Sequence, residues 1–350
     1  MATNEVFAKR LKMARVIKGY SMDKLIEKMN PKVSKMSISK YESGEMLPDS
    51  PILISLSKAL EQNIDWFFSP LRVSIQDINF RKRSTLNKKM EDSIKQEVIE
   101  FAERYIEIEN ISSIPQFNIS KRENSVIKNE SDVISFAGAI SNKWNIGDDG
   151  ISCVMELLEE HGIKICEIDT NQKFDGLSAN LGEYGAVIVV NKNFSSERKR
   201  FTALHELGHL ILNFDSSVQQ IEKMCNLFAS EMLISRKKLK DFLGENRKAI
   251  SYQELQSIQA QYGISIDALM YKAKESNIIT ENHCNSYFKR KNADKAFKKF
   301  VEKSIYPEDT GSRFKRLVYK ALSSNLISES KAASLLNIPR NRVIAELSLI

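Results

Sequence analysis

Apolar positions recur at helical spacing through the first seventy residues. In "EVFAKRLKMARVIKG" they are Val6, Phe7, Leu11, Ala14 and Ile17, and Gly19 closes the run. Ser21 is placed to cap "MDKLIEKM", with Asp23 in the first turn, where the helix dipole favours an acid. Pro31 stops that helix, Ser34 caps "KMSISKYESG", and Pro48 opens a turn before a last amphipathic segment, "SPILISLSKALEQNIDWFF". Farther on, Met90, Ile94, Val98, Phe101, Tyr105 and Ile108 keep the same spacing and predict one long helix within 70–130. The basic "NFRKRSTLNKK" precedes it, and an irregular linker, "SSIPQFNISKRENSVIKNESD", follows.

The pattern changes in residues 131–284. "DVISFAGAISNKWNI" and "ISCVMELLEEHG" read as helices, whereas "IKICEID" and "YGAVIVVN" alternate or run apolar as strands do, with "DGLSANLGE" a turn-rich connection between them. A helix capped by Asn193 or Ser195 is expected over about 196–213, then another in "SSVQQIEKMCNLFASEML" and two more around "YGIS" in 251–279. Helices, a small sheet and further helices make an α+β domain. In 285–350, "FKRKNADKAFKKF" is basic and amphipathic. "ISESKAASLLNIPRNRVIAEL" has Ser328 as a cap, Asn337 and Pro339 in a turn, and an apolar face of Leu335, Leu336, Ile338, Val343 and Leu347. That face suits packing on the middle domain as well as its charge suits nucleic acid.

The expected fold class is therefore multidomain. An all-α domain (1–69) has helix-turn-helix organisation in its second and third helices. A long helix and linker (70–130), an α+β domain (131–284) and a helical C-terminal region (285–350) follow. The long helix reads as a spacer and packing element, with a homodimer contact as a further use. A chain of 350 residues has room for these domains.

Charge sharpens the division. Residues 285–350 hold 14 Lys and Arg against 6 Asp and Glu, while 131–284 hold 16 against 21. A basic end could bind nucleic acid or lie as a solvated helix face. Cys153, Cys166, Cys225 and Cys284 form no CxxC pair, which argues against a disulfide framework and against a Cys-type zinc site. No apolar run reaches the roughly 18 residues that span a bilayer. The charged N-terminus lacks the apolar core of a secretory signal. A cytoplasmic location without a membrane partner is expected.

The chemistry concentrates in "FTALHELGHLILN", residues 201–213. Thr202, His205, His209 and Asn213 follow at helical steps and make one polar stripe on an otherwise apolar helix, bordered by Glu206. Imidazoles at i and i+4 project from one face and can share a single Zn2+. Glu206, beside them without being a ligand, can take a proton from water at the metal and pass it to a leaving amine. This is the logic of the HExxH motif. A third ligand is needed. Glu222 and Glu231 are the carboxylates of the next helix, and Glu222 is favoured because Asn226 shares its face and could orient a ligand. Asp215 is a weaker candidate, and His161 and His283 read as surface or capping residues.

Two stretches resemble known families. "SISKYESGEMLP" followed by "LSKALEQNIDWFF" resembles the Cro/C1-type (XRE) DNA-binding domain. The resemblance implies a double-stranded DNA operator as partner. Lys35, Met36, Ser37 and Lys40 would face the DNA, Ser39 would lie near a phosphate or base edge, and Tyr41 and Glu42 would hold the fold together. Ile26 stands where alanine is common, Met22 or Asp23 replaces the usual glutamine, and "NPK" lengthens the turn.

"RFTALHELGHLILN" followed by "IEKMCNLFASEMLI" resembles the ImmA/IrrE metallopeptidase family, over roughly residues 130–240. That implies a zincin-like fold for 131–284, Zn2+ held by His205, His209 and Glu222, and Glu206 as catalytic acid/base. Cys225 stands where alanine is commoner, and Ile234–Ser235 where Met-Pro is often found. In zinc peptidases of this type the strand before the metal helix often lies at an edge and pairs with the extended substrate; here "YGAVIVVN" could be edge or central, and its mainly apolar run favours the core. The implied function is a DNA-binding regulator whose zinc endopeptidase cleaves a helix-turn-helix repressor and derepresses genes. A transcription factor or antitoxin-like protein whose zinc domain senses or scaffolds remains the alternative reading.

Overall fold

The computed structural model describes residues 3–71, 88–115, 125–170 and 174–347. The basic stretch before the long helix lies almost wholly outside them, and so does much of the linker. The chain divides into two compact units, Met1–Gln116 with Ser312–Ile350, and Phe117–Gly311.

The first unit opens with α1 (Thr3–Ile17), α2 (Met22–Lys28), α3 (Lys35–Ser43) and α4 (Ser50–Leu60). Local chemistry sets their starts. The Ser21 side chain accepts from the Lys24 amide, Ser34 from Ser37, and Asp49 from Ile52. The last amphipathic segment is broken. Glu61 takes φ 54° and ends α4, and Ile64–Phe68 form a 3-10 turn that buries Trp66 and Phe67. Phe7, Leu11, Leu25, Ile38, Leu56 and Leu60 complete this core. A forked ion pair joins α1 to α3, with Arg15 Nε and Nη2 at 2.5 and 2.7 Å from the Glu42 carboxylate. The long helix α5 (Lys88–Ile111) packs on α1, where buried Arg10 donates to Glu103 at 2.5 Å and to the Ser69 and Pro70 carbonyls.

The second unit contains β1 (Val126–Ile127), α6 (Glu130–Lys143), α7 (Val154–Glu160), β2 (Ile163–Ile168), β3 (Gly176–Asn180), β4 (Ala186–Asn191), α8 (Ser196–Ile211), β5 (Asn213–Phe214) and α9 (Ile221–Leu233). Helices α10 (Arg236–Leu243), α11 (Tyr252–Tyr262), α12 (Ile266–Glu275), α13 (Glu281–Ala293) and α14 (Lys295–Val301) follow. The main sheet has the order β2-β4-β3, with β2 parallel and β3 antiparallel to β4; β1 and β5 pair separately. Helix α8 lies on β3 and β4 and packs against α9.

Strand β4 is central and buried at every position, so the strand before the metal helix offers no free edge. Its neighbours β2 and β3 are the two edges of this sheet, and β3 lies in the stretch expected to be a turn. Its sequence, Gly-Leu-Ser-Ala-Asn, lacks the β-branched and aromatic residues that mark strands. Pairing with β4 and contact with α8 make it one. Gly176 permits that contact, because a Cβ there would stand 2.5 Å from Thr202 Cγ2 and 2.9 Å from the Val189 carbonyl oxygen.

Residues 285–350, expected as one region, fall into both units. Helices α13 and α14 belong to the second. The last helices, α15 (Arg313–Ser323), α16 (Glu329–Leu336) and α17 (Arg340–Leu347), belong to the first and gather Val318, Ala333, Leu335 and Val343 around Ile108 of α5. Charge explains the partner. Basic Arg313 and Lys331 meet acidic Glu109 and Glu107 of α5 at 2.7 and 2.6 Å. Among the described residues no helix is long and apolar enough to cross a membrane.

Candidate metal centre

Helix α8 starts where Ser195 accepts from the Arg198 amide and ends at Ile211. Leu212 is extended, so Asn213 leaves the helix for β5 and drops out of the expected polar stripe. His205 and His209 remain one turn apart, each 5% exposed. Their Nε2 atoms lie 3.1 Å from each other, and those of His205 and His209 lie 3.3 and 3.5 Å from the two Glu222 oxygens.

The triangle has the right size for an ion. Tetrahedral zinc bound at about 2.0–2.1 Å separates its ligand atoms by roughly 3.3–3.4 Å. Two imidazole nitrogens and a carboxylate are also a donor set that zinc accepts in catalytic sites. Among the described residues, His205, His209 and Glu222 are the group of His, Cys and acidic side chains whose donor atoms converge. The Glu222 side chain is 43% exposed as a whole, but its Oε2, the oxygen facing His205, is buried.

Neighbours orient the donors. Asn226, one turn beyond Glu222, places Oδ1 2.8 Å from His205 Nδ1. Donation by Nδ1–H to that oxygen leaves the Nε2 lone pair aimed into the triangle. Cys225 Sγ lies 3.5 Å from His209 Nδ1. Gly208 brings α9 this close: a Cβ there would already stand 3.3 Å from the Phe228 ring and 3.4 Å from Cys225. Glu206 is outside the triangle, and its Oε2 accepts a 2.9 Å hydrogen bond from Ser178 Oγ on β3. Ser178 lies in the stretch whose sequence reads as a turn, so it carries no site signal by itself.

The other candidates lie elsewhere. Glu231 meets Lys272 at 2.5 Å and accepts from the Arg236 amide, at the far end of α9. Burial pushes the Lys272 ammonium down, against the upward pull of Glu231. Asp215 accepts from the Ser217 hydroxyl and amide in a turn, and these bonds hold its carboxyl below the usual range. His161 stacks on Trp144 at 4.0 Å, and burial lowers its pKa. His283 sits in the first turn of α13, its amide bonded to the Thr280 cap.

A second polar network, not foreseen from the sequence, anchors the N-terminal half of α8. Fully buried Arg200 donates to Asp309 at 2.6 Å, to the Ile151 and Tyr262 carbonyls at 2.6 and 3.1 Å, and faces the Tyr306 ring at 4.3 Å. Asp309 in turn accepts from the Val154 and Met155 amides at the start of α7. Glu197 accepts from Ser304, Gln259 and the Ile305 amide. Residues 303–311 thus strap α8 in place.

On the first unit, α3 turns Ile38 and Tyr41 into the core. Lys35, Met36, Ser39 and Lys40 are exposed, while Ser37 is half-buried with its hydroxyl 2.9 Å from that of Ser34. Lys35 meets Asp23 at 2.7 Å on the surface.

Residues 158–274 match the family model of the IrrE N-terminal-like domain, a peptidase family, and residues 11–67 match a helix-turn-helix family model. The first span includes His205, Glu206, His209, Glu222 and Ser178; the second begins within α1 and runs through α4. No curated protein matches the chain. The chain thus carries a segment similar to helix-turn-helix domains followed by one similar to the metallopeptidase-type IrrE N-terminal-like domain.

Proposed function

We propose that the protein is a DNA-binding transcription regulator whose ImmA/IrrE-type domain is a zinc endopeptidase, and that it cleaves a helix-turn-helix repressor to derepress genes. The observation that carries this reading is the triangle of His205, His209 and Glu222 with Glu206 beside it and outside it. Structural zinc sites close with four protein ligands, whereas catalytic sites keep one position open. Three converging donors among the described residues, rather than four, favour catalysis over a sensor or scaffold.

Zinc bound there would polarise the scissile carbonyl and lower the pKa of a water to about 7. Glu206 accepts a proton from the attacking water and delivers it to the amine nitrogen as the C–N bond breaks. The Ser178 hydroxyl holds the Glu206 carboxylate in position through Oε2. Asn226 holds the His205 ring. In the first unit, Lys35, Met36, Ser37, Ser39 and Lys40 are the proposed contacts of α3 with the major groove, whose width admits one helix.

Glu206→Gln tests the central claim. The variant is expected to bind zinc as the wild type does, to leave helix-turn-helix repressors encoded beside its gene uncut, and to lose derepression. Retained cleavage or derepression by the zinc-bound variant overturns the proposal.

A further inference from the structure

Helices α16 and α17 are joined by only three residues, Asn337, Ile338 and Pro339. Asn337 takes φ 52° and closes α16 in the left-handed conformation that glycine often supplies in a helix-turn-helix turn. Ala332, Ala333, Leu335 and Val343 are buried with Val318 of α15, and the two small side chains let α17 come close. Val343 turned inward leaves the opposite face of α17 outward. Arg340, Asn341, Arg342, Ile344 and Ala345 are all exposed on it. Ile344 keeps 42% of its surface in solvent although it is large and apolar.

Charge marks the same face. Residues 313–347 hold 7 Lys and Arg against 2 Asp and Glu. Arg313 and Lys331 are turned to the acids of α5, and the other cations lie outward on α15 and α17. Arg340 places Nε and Nη2 at 3.0 and 2.7 Å from one oxygen of Glu329, which fixes the start of α17 on the start of α16. Glu346 meets Lys315 of α15 at 2.7 Å and Arg342 at 3.1 Å. Two cations from neighbouring helices thus stand at one carboxylate, and a positive charge is left over.

We propose that α16 and α17 are a second helix-turn-helix element, in which α17 enters the major groove of double-stranded DNA, Asn341, Arg342 and Ile344 meet base edges, and Lys315 meets a backbone phosphate. The groups on the face select this partner. Asn pairs with adenine and Arg with guanine through two hydrogen bonds each, and an apolar side chain meets the thymine methyl. The excess of positive charge suits the phosphates, which supply most of the sequence-independent affinity. The inference extends the DNA-binding reading of α3 and uses none of its residues, so the two can fail separately.

The test uses the full-length protein and a duplex that the wild type selects from a random-sequence pool, with affinity read by fluorescence anisotropy over a salt series. Lys315→Ala is expected to weaken every duplex and to reduce the slope of log affinity against log salt by about 1, while Lys315→Arg keeps the slope. Arg342→Ala and Asn341→Ala are each expected to relax the preference at one base pair by roughly tenfold. Exposed ion pairs contribute little stability, and Glu346 retains one cation in either single variant, so the fold should survive. Thermal melts check this. A variant that fails the check is replaced by Asn341→Asp, which sets an acid on the outward face and should lower affinity at least tenfold. An unchanged slope in Lys315→Ala, or unchanged base preference in both Arg342→Ala and Asn341→Ala, overturns the proposal. So does tighter binding of the wild type to RNA of the same sequence. Lys35→Ala/Lys40→Ala runs alongside. If it binds as the wild type does while the α15 and α17 variants change as expected, the reading of α3 falls and this one stands. If the wild type selects no duplex, both fall.

Discussion

Asn226→Ala isolates the contact that aims His205, one of the proposed metal ligands. Asn226 Oδ1 lies 2.8 Å from His205 Nδ1, and the ring is only 5% exposed, so water replaces the lost acceptor poorly. Without it, the imidazole is free to carry its proton on Nε2, where it blocks coordination, and to rotate out of the triangle. Removing a hydrogen-bond partner of a metal-bound histidine typically costs 10–100-fold in metal affinity. That is about 1.4–2.7 kcal/mol. Asn226→Asp keeps the acceptor and makes the bond charge-assisted, so it should bind zinc at least as tightly as the wild type. Competition against a chromophoric chelator measures both. If Asn226→Ala binds zinc within about twofold of the wild type, the contact does not orient the ligand and the reasoning fails.

Three more outcomes are expected. Asp309→Ala leaves the buried Arg200 guanidinium and two amides of α7 without their acceptor, and should destabilise the second unit by about 3–5 kcal/mol. Urea unfolding followed by Trp144 fluorescence checks this, and a loss under about 1 kcal/mol would mean the strap does not hold α8. Burial raises the Glu197 carboxyl, but hydrogen bonds from Ser304, backbone amides and Gln259 outweigh it and leave the pKa below the ordinary value. A depressed pKa contributes stability above the unfolded value of about 4.3 and loses it as pH falls through the folded value. Glu197→Gln should therefore cost stability near neutrality by a margin that narrows on acidification in thermal melts; a margin that widens rejects the assignment. Lys40→Ala should weaken operator binding across sequences and reduce the slope of log affinity against log salt by about 1. An unchanged slope in a salt titration by fluorescence anisotropy removes Lys40 from the phosphate contacts.

Much was legible because it is local. The caps at Ser21, Ser34, Ser195 and Ser328 act within three residues of themselves, and a helix fixes the spacing of His205 and His209 whatever surrounds it. Glu222 was harder to single out. Its rank over Glu231 rested on Asn226, and the geometry that separates them comes from α9 packing on α8 across Gly208.

The sequence by itself determined many of the helices, the spacing of His205 and His209 and the acid beside them, because periodicity and capping are properties of neighbours along the chain. Tertiary structure alone decided that Gly176–Asn180 is an edge strand, and with it the bond from Ser178 to Glu206. It also decided that Arg200 meets Asp309 across 109 residues and that α15–α17 pack on α5. Such pairings depend on which surfaces meet and which charges find partners when buried. No local pattern records that, since a small strand such as Gly-Leu-Ser-Ala-Asn becomes a strand only when β4 and α8 are there to receive it.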